Sequence, residues 1–233
     1  MRIAAISDLH GYLPEIEKSD ILLIAGDISP LEIQFDKQKM KLWLETEFAY
    51  WIKFLPVDKV YMVAGNHDAY FEGQSGLNIT YLINQCDNKL DYLENHWTTH
   101  NHNGEEYKIF GTPYCHIFGR WPFMRTDEYM EEKFKEIPDK CDIIISHDPP
   151  YNIGQVDRIL ESRRWSNISP EGLGNKQLSK QLYKTDFKLL VCGHIHSGDH
   201  NPFKFDLSGQ VVNVSIKNEK YNVEYEPFYI EID

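Results

Sequence analysis

Residues 60–68 read Val-Tyr-Met-Val-Ala-Gly-Asn-His-Asp, an apolar run that ends in glycine and three polar side chains. A short apolar run bounded by glycine is typical of a buried strand that opens into a loop. Two runs nearer the N-terminus have the same form, since residues 3–6 lead to Asp8 and residues 21–25 lead to Asp27. We therefore predict three strands with polar residues at their carboxyl ends.

The segment between the second and third strands has the pattern of a helix. Its apolar side chains recur every three to four positions, as on one helix face. They are Met40, Leu44, Phe48, Trp51 and Leu55. Pro56 follows and ends the pattern. Strand, helix and strand in this order predict a βαβ unit of a parallel or mixed sheet that is covered by helices.

The rest of the chain contains further elements. Residues 90–97 and 107–110 flank the turn-forming pair Asn103-Gly104, which predicts a hairpin or two neighbouring strands, and residues 127–137 predict a short helix before Pro138. Strand-like segments follow at residues 141–146, 187–192, 210–216 and 226–232, the last two as closing antiparallel strands. No repeat or Pro/Gly-rich linker divides the chain, so we expect residues 1–233 to form one domain.

The amino-acid composition limits the kinds of partner that the protein is expected to bind. The 24 basic and 36 acidic residues give a net charge of −12, which repels polyanions and disfavours a long nucleic acid. The apolar runs are too short to span a bilayer, so no membrane association is expected. Small phosphorylated substrates remain open, because bound cations would offset the negative charge locally. Composition does not decide the oligomeric state.

The cysteines indicate a reducing compartment. Four are present, with no CxxC spacing, at positions 86, 115, 141 and 192. Asp8 interrupts the N-terminal apolar run before a signal-peptide core could form, which argues against a secretory signal. We therefore expect small buried thiols in a cytoplasmic protein.

The candidate metal ligands lie just beyond the apolar runs. They are Asp8, His10, Asp27, Asn66, His147, His194 and His196. Strand ends converge at one edge of a sheet, where ligand sites are favoured. Oxygen and imidazole donors without a thiolate favour Mn²⁺, Fe, Zn²⁺ or Ni²⁺. Taken singly, the motifs of Asp8, Asp27 and Asn66 are explained as well by turn or cap residues, but the ordered set favours a metal site.

These motifs, D-x-H, G-D, G-N-H-D, a strand-end His and G-H-x-H, resemble the calcineurin-like metallophosphoesterase superfamily. Gly111-Thr112-Pro113, the segment 146–150 and Asn213-Val214-Ser215 are similar to its metallophosphoesterase-domain-containing branch, which includes cyclic-nucleotide phosphodiesterases. The resemblance implies a four-layer αββα sandwich of two mixed sheets with helices outside.

The resemblance also implies a division of roles around two divalent ions. Asp27 is expected to bridge the ions. The first ion is expected to be held, together with Asp27, by Asp8, His10 and His196, and the second by Asn66, His147 and His194. His67 corresponds to a histidine beside the phosphate and is expected to act as general acid or hydrogen-bond donor. Asp68 stands where an acidic partner would orient that imidazole.

The expected activity is hydrolysis of small phosphodiesters, such as cyclic nucleotides, by a hydroxide that bridges the metals. The alternative is a phosphomonoesterase, including a protein phosphatase. A nuclease is disfavoured by the acidic charge, and a non-catalytic scaffold by the complete ligand set.

The loop of residues 113–125 is a candidate for substrate recognition, with His116 and Arg120 as the predicted contacts. The alternative is that its aromatic residues simply pack on the core. Another histidine pair, His100 and His102, is predicted to lie in a polar turn facing solvent.

Overall fold

Apolar runs and their helical covers form two mixed sheets in the computed structural model, which describes residues 1–73, 76–159, 172–205 and 209–233. The strands in this part of the chain are Arg2–Ile6 (β1), Ile21–Ala25 (β2), Lys59–Val63 (β3), Leu90–Tyr92 (β4), His96–His102 (β5), Glu105–Thr112 (β6), Ile143–Ser146 (β7), Leu189–Cys192 (β8), Phe203–Phe205 (β9), Gly209–Asn213 (β10) and Phe228–Glu231 (β11).

The first sheet has the spatial order β11-β1-β2-β3-β4, and the second has the order β5-β6-β7-β8-β10-β9. Strands β1 to β4 run parallel, with β11 antiparallel at one edge. In the second sheet β6, β7, β8 and β10 run parallel, and β5 and β9 form antiparallel edges. Parallel neighbours place many carboxyl ends at the same edge.

The helices are Lys37–Trp43 (α1), Ala49–Phe54 (α2), Gly76–Gln85 (α3), Asp127–Lys133 (α4) and Lys176–Leu182 (α5). A π-helical turn, Leu44–Phe48, joins α1 to α2, so the predicted helix is continuous up to Phe54. A 3₁₀ turn, Phe134–Glu136, extends α4. None of the described helices is long and apolar enough to cross a membrane.

The period of two in a strand divides the core into layers. Ile3 and Leu23 of the first sheet pack with Ile145 and Val191 of the second in the inner core. Alternate residues on the outer faces of the sheets pack beneath α1 to α3 on one side and α4 and α5 on the other. The predicted four-layer αββα arrangement is thereby confirmed.

The hairpin prediction is also confirmed. Strands β5 and β6 pair in antiparallel register, and Asn103 and Gly104 between them have φ angles of 52° and 87°. These positive angles are those of a tight hairpin turn with the twist that strands prefer.

Three details differ from prediction. The segment 90–97 is not one strand, because the chain leaves the first sheet after β4 and enters the second at β5. Strand β10 pairs in parallel with β8 and is antiparallel only to β9. His100 and His102 belong to β5, not to a turn, and His100 Nδ1 lies 3.0 Å from the Tyr61 hydroxyl.

The carboxyl ends of the two sheets join at one edge. Ser7 N donates to Val214 O at 2.8 Å, and Ile216 N donates to Ser7 O at 3.1 Å. The loops after β1 and β10 therefore lie side by side, and polar side chains from both sheets meet there.

Candidate metal centre

The first group of predicted ligands lies at this joined edge. His196 Nε2 is 3.2 Å from Asp8 Oδ1 and 3.4 Å from His10 Nε2. His10 Nε2 is 3.9 Å from Asp27 Oδ2. Four side chains from three separate loops thus point donor atoms at one space.

The second group meets the first at Asp27. His147 Nε2 lies 3.4 Å from Asp27 Oδ2 and 3.1 Å from Asn66 Oδ1. The His194 and His147 ring centroids are 5.1 Å apart. All seven predicted ligands are therefore brought together, and Asp27 lies between the two groups, where a bridging ligand is expected.

The orientation of the imidazoles fits a metal centre. A metal-binding histidine usually donates its other ring N–H to a carbonyl or carboxylate. His147 Nδ1 lies 2.8 Å from Ala25 O, and His196 Nδ1 lies 2.9 Å from Asn218 O. These bonds direct both Nε2 atoms to the centre. Buried carboxylates and imidazoles also form clusters of the size that one ion requires.

The backbone at the ligands is strained. Asp8, His10, Asp27 and His194 have φ angles of 56°, 42°, 54° and 69°. Side chains other than glycine rarely adopt this region, and such residues concentrate at functional sites. Backbone hydrogen bonds stabilise these strained conformations, since His10 N donates to Asp27 O at 2.9 Å and Asp8 N donates to Gly26 O at 3.0 Å.

Glycine before a ligand allows close approach at three of these loops, since Gly193 meets Asp8 Oδ2 as Gly26 and Gly65 meet His147. A Cβ on Gly26 would lie 2.6 Å from His147 Nδ1. A Cβ on Gly65 would lie 2.6 Å from His147 Nε2 and would also collide with the Asp27 carboxylate. Ligands from different loops therefore pack directly on bare backbone.

The electrostatics divide the imidazoles into two kinds. Burial alone would lower the pKa of His147, but the Asp27 carboxylate outweighs it and raises that pKa to about 10. In the same way Asp8 outweighs burial and raises the pKa of His196 to about 9. Burial lowers the pKa of His10 and of His194 to about 4. Without metal, two imidazolium groups thus balance the two buried carboxylates, and bound cations would replace those protons.

His67 lies beside the ligands. Its backbone N donates to Asp27 Oδ1 at 2.7 Å, while its Nδ1 lies 2.8 Å from Gln34 Oε1. The Gln34 amide is itself oriented, because its Nε2 donates to Leu31 O. This contact fixes one edge of the imidazole and leaves the other edge to line the pocket described below.

Asp68 does not orient His67 as predicted. Its carboxylate accepts from Ser29 N, Ser29 Oγ and Gly65 N at 2.9, 2.6 and 2.8 Å. These bonds tie the loop after β2 to the loop after β3, so Asp68 holds the segments that carry Asp27 and Asn66. Burial, reinforced by the Asp27 charge, raises the pKa of Asp68 to about 6. Gln34, and not Asp68, is therefore the side chain that orients the His67 imidazole.

A pocket of about 260 Å³ opens onto the centre. It is lined by Asp27, Asn66, His67, Phe118, Trp121, His194, His196, Glu219 and Tyr221. No lysine or arginine is among these described lining residues. Rings pack against the imidazoles on several sides, with centroid distances of 4.7 Å from Trp121 to His67 and 5.1 Å from Phe118 to His194.

The two predicted substrate contacts are not in this lining. The His116 imidazole is held by Asp148, with Nδ1 2.9 Å from Asp148 Oδ2. Arg120 is exposed at the tip of its loop. The same loop lines the pocket through Phe118 and Trp121 instead, and its role in substrate recognition stays a prediction.

Sequence patterns also missed several supporting residues. Ser215 Oγ donates to Asp8 Oδ2 at 2.6 Å, and its only sequence indication was the Asn-Val-Ser motif. Tyr221, with φ of 62°, places its ring 4.8 Å from that of His10. Neither Tyr221 nor Gln34 belongs to a motif that would have marked it.

Comparison with known proteins adds to this geometry. A protein-family model described as calcineurin-like phosphoesterase matches residues 1–198. The chain is 25% identical over 257 residues to metallophosphoesterase domain-containing protein 1 of Homo sapiens, covering 99% of this chain and 71% of that protein. It is 26% identical over 204 residues to a probable rhamnogalacturonate lyase C of Emericella nidulans, covering 85% of this chain but 17% of that protein's length.

One solved structure has a TM-score of 0.62 and 18% identity to this chain, covering 91% of this chain and 89% of the other. At this identity the likeness concerns the fold alone. It agrees with the two sheets and their helical layers.

Proposed function

The chain belongs to the calcineurin-like phosphoesterase family, and from this premise we propose that it is a metal-dependent phosphodiesterase acting on small phosphodiesters, with cyclic nucleotides among the substrates to test. The family supports the coarser activity of a phosphoester hydrolase. The choice of diester over monoester is our own and rests on the charge of the pocket.

The observation that carries this choice is the lining of the pocket. Glu219 adds a carboxylate at its rim, and the described lining contains no lysine or arginine. Ser197 N and Ser197 Oγ donate to Glu219 Oε1 at 3.1 and 2.9 Å, which fixes this carboxylate in place. A monoester dianion has one more charge to be repelled than a diester monoanion. The bound ions would attract both esters, so the proposed preference rests on Glu219, whose carboxylate opposes the second charge of the monoester where no lysine or arginine of the described lining would hold it.

The aromatic wall supports an apolar or planar ester group. Phe118 is 50% exposed and Tyr221 is 39% exposed, so both rings have surface available to a ligand. The Trp121 ring packs against both His67 and Phe35, and its centroid lies 6.1 Å from that of Phe35. A planar group gains from stacking on such rings, and a nucleotide base has the required shape.

The protein's own residues have distinct tasks in this proposal. The seven ligands would hold two divalent ions, for which Mn²⁺, Fe, Zn²⁺ and Ni²⁺ are the candidates. Bound ions supply charge neutralisation for the phosphate and lower the pKa of water. Gln34 orients His67, which donates a proton or hydrogen bond to the leaving oxygen. The aromatic wall excludes water and orients the ester group.

The biological setting is also a proposal. The four cysteines are all buried and unpaired, which suits a reducing compartment. We place the protein in the cytoplasm, acting as one domain on small phosphorylated substrates without a membrane or a long nucleic acid as partner.

The test is a paired substrate assay. Metal-free protein is reconstituted with each candidate cation and assayed with bis(4-nitrophenyl) phosphate, 4-nitrophenyl phosphate, and 2′,3′- and 3′,5′-cyclic nucleotides. We expect kcat/KM for the aryl diester to exceed that for the monoester by about tenfold or more, equivalent to about 1.4 kcal/mol. Asp27→Asn is expected to abolish both activities.

Glu219→Gln is the matched control for the charge argument, since it keeps the size and hydrogen-bonding capacity of the side chain. It is expected to narrow the ratio of diester to monoester activity by improving the monoester. Equal or greater monoester activity in the unmodified protein would instead identify a phosphomonoesterase.

A further inference from the structure

The pocket loop, residues 116–122, is closed at its base by two backbone hydrogen bonds. Cys115 N donates to Phe123 O at 3.0 Å, and Arg125 N donates to Cys115 O at 2.9 Å. The rings of the aromatic wall that this loop supplies are Phe118 and Trp121. The position of both rings over the candidate metal centre therefore depends on how this base is held.

The base contains a strained residue. Phe123 is fully buried and has a φ angle of 58°, a backbone conformation that a bulky side chain rarely adopts. Such conformations persist only where the surrounding structure holds them, and they concentrate at functional sites. The backbone of Phe123 therefore requires a partner that keeps it in place.

That partner is Glu72. Its Oε1 accepts one hydrogen bond from Phe123 N at 2.9 Å and another from Arg125 Nη1 at 3.0 Å. Arg125 Nη1 also donates to Met124 O at 2.9 Å. The Arg125 guanidinium lies over the Tyr114 ring, 5.2 Å from its centroid. One carboxylate oxygen of Glu72 thus joins the backbone and a side chain at the base of the pocket loop.

Glu72 belongs to the chain segment that carries His67. It lies five positions after His67, and the turn between them is fixed because Phe71 N donates to Asp68 O at 3.0 Å. The pocket loop contacts the same segment a second time, since the Trp121 and His67 ring centroids are 4.7 Å apart. The two segments are therefore joined at two points, one inside the pocket and one at the base of the loop.

The ion pair between Glu72 and Arg125 does not by itself account for this arrangement. Their side chains are 38% and 27% exposed, respectively, and partly exposed ion pairs contribute little to stability. The bond from Phe123 N to Glu72 acts on geometry instead, because it fixes the strained backbone directly beside the pocket loop.

The geometry points to Glu72 as a positioning residue that holds Phe118 and Trp121 over the metal centre and so favours diesters with an aromatic ester group. This inference rests on the proposed function and specifies the part of the substrate that the wall selects. An aromatic group gains from contact with a correctly placed ring. That gain is lost when the base of the loop is released, whereas the grip on the phosphate is kept.

The experiment compares the binding of dibenzyl phosphate and diethyl phosphate. Both are monoanions with poor alkoxide leaving groups, and they differ in the aromatic rings. Calorimetry measures the Kd of each for the metal-loaded protein, so the readout does not depend on turnover. Glu72→Ala is expected to weaken dibenzyl phosphate binding by about two- to tenfold, the range that an aromatic pair contributes, and to leave the Kd of diethyl phosphate unchanged.

Two variants serve as controls. Glu132→Ala removes a surface glutamate that pairs with Lys135 at 2.6 Å, and it is expected to change neither Kd. Glu72→Gln keeps an oxygen that accepts from Phe123 N, so it is expected to bind dibenzyl phosphate more tightly than Glu72→Ala does. Amide hydrogen exchange of residues 116–125 reports on the loop directly. It is expected to become faster in Glu72→Ala and to stay unchanged in Glu132→Ala.

The outcomes separate this inference from the proposed function. An unchanged Kd for dibenzyl phosphate in Glu72→Ala, or an equal loss for both diesters, would overturn the positioning role. A selective loss of dibenzyl phosphate binding in a protein that hydrolyses no phosphodiester would uphold that role and overturn the function. A protein that hydrolyses diesters but binds dibenzyl phosphate no more tightly than diethyl phosphate would uphold the function and overturn the inference.

Discussion

His67 is positioned by two contacts that act on different parts of the residue. Its backbone N donates to Asp27 Oδ1, while Gln34 holds its imidazole. His67→Ala removes the ring but keeps the backbone donor to Asp27. We expect turnover to fall by about 10²–10⁴-fold, the usual contribution of a positioned acid or base, with both metals retained. Elemental analysis and kcat measured on the same sample test this prediction.

Gln34→Ala is the matched control for the orientation of that imidazole. It leaves His67 in place but frees its ring, so a smaller loss of kcat is expected, with metal content unchanged. A His67→Ala protein that loses its metals would contradict the assigned role. The same conclusion would follow if Gln34→Ala lowered metal content and not kcat.

The clustering of the candidate ligands could be predicted at this scale because short motifs contain them. Asp8, Asn66 and His194 each follow an apolar run, and the structure brings them together with the other ligands. The partner of His67 could not be predicted, because Gln34 is 33 positions away and lies in no motif. Asp68 is adjacent in sequence, yet its carboxylate is directed to Ser29 and Gly65. Proximity in sequence is a poor guide to which side chain reaches an imidazole.

The unit at the scale of elements is a strand followed by a glycine-containing loop. Gly65 follows β3, and any Cβ there meets Asp27 and His147. Gly65→Ala therefore forces these ligands apart, and interiors yield little to such overlap. We expect loss of at least one bound metal and a destabilisation of about 1–3 kcal/mol. Metal stoichiometry and urea unfolding measure the two effects.

Gly104→Ala controls for the general cost of replacing a loop glycine. Gly104 has φ of +87° in the β5–β6 turn, and an added Cβ would meet nothing within 4 Å. Its replacement is expected to cost about 1–2 kcal/mol from backbone strain alone, with full metal content. If Gly65→Ala behaved in the same way, close packing of the ligands on Gly65 would not matter for the centre.

Elements were predictable where local pattern determines them, and not where tertiary pairing does. The helix before Pro56 and the Asn103-Gly104 hairpin follow from periodicity and turn chemistry. Residues 90–97 show one continuous pattern, but their halves pair with different sheets. The crossover includes Asn95, at φ of 52°, whose Nδ2 donates to Lys133 O. Nothing in the local sequence indicates that long-range bond.

At the scale of the whole molecule, the candidate metal centre forms because two sheets present their carboxyl ends at one edge. Strand β1 leads to Asp8 and His10, while β7 and β8 of the other sheet lead to His147 and His194. This arrangement was predicted from the resemblance of the motifs to a known family, because strand patterns alone do not determine how two sheets face each other. The same convergence concentrates ionisable groups, which links folding stability to pH.

The metal-free protein is expected to be most stable near pH 6.5. The pKa values of His147 and His196 are raised to about 10 and about 9, above the unfolded value of about 6.5. Their contribution is complete below about pH 6.5 and is lost as pH rises through about 9 and 10. His10 and His194, lowered to about 4, stabilise the fold above about pH 6.5, and that contribution is lost as pH falls toward 4. The raised pKa of Asp68 has the opposite effect on stability at acid pH. It offsets only part of the contribution of His10 and His194, because it is one group against two.

Urea unfolding with a chelator present tests this dependence between pH 5 and pH 9. The free energy of unfolding is expected to fall on both sides of the maximum by at least about 1 kcal/mol, since one pKa unit corresponds to about 1.4 kcal/mol. A bound divalent ion displaces the protons of His147 and His196, so the loss at alkaline pH should disappear when metal is restored. A metal-free protein whose stability rises steadily to pH 9 would show that these imidazoles are not paired with Asp27 and Asp8, and would contradict the arrangement of the centre.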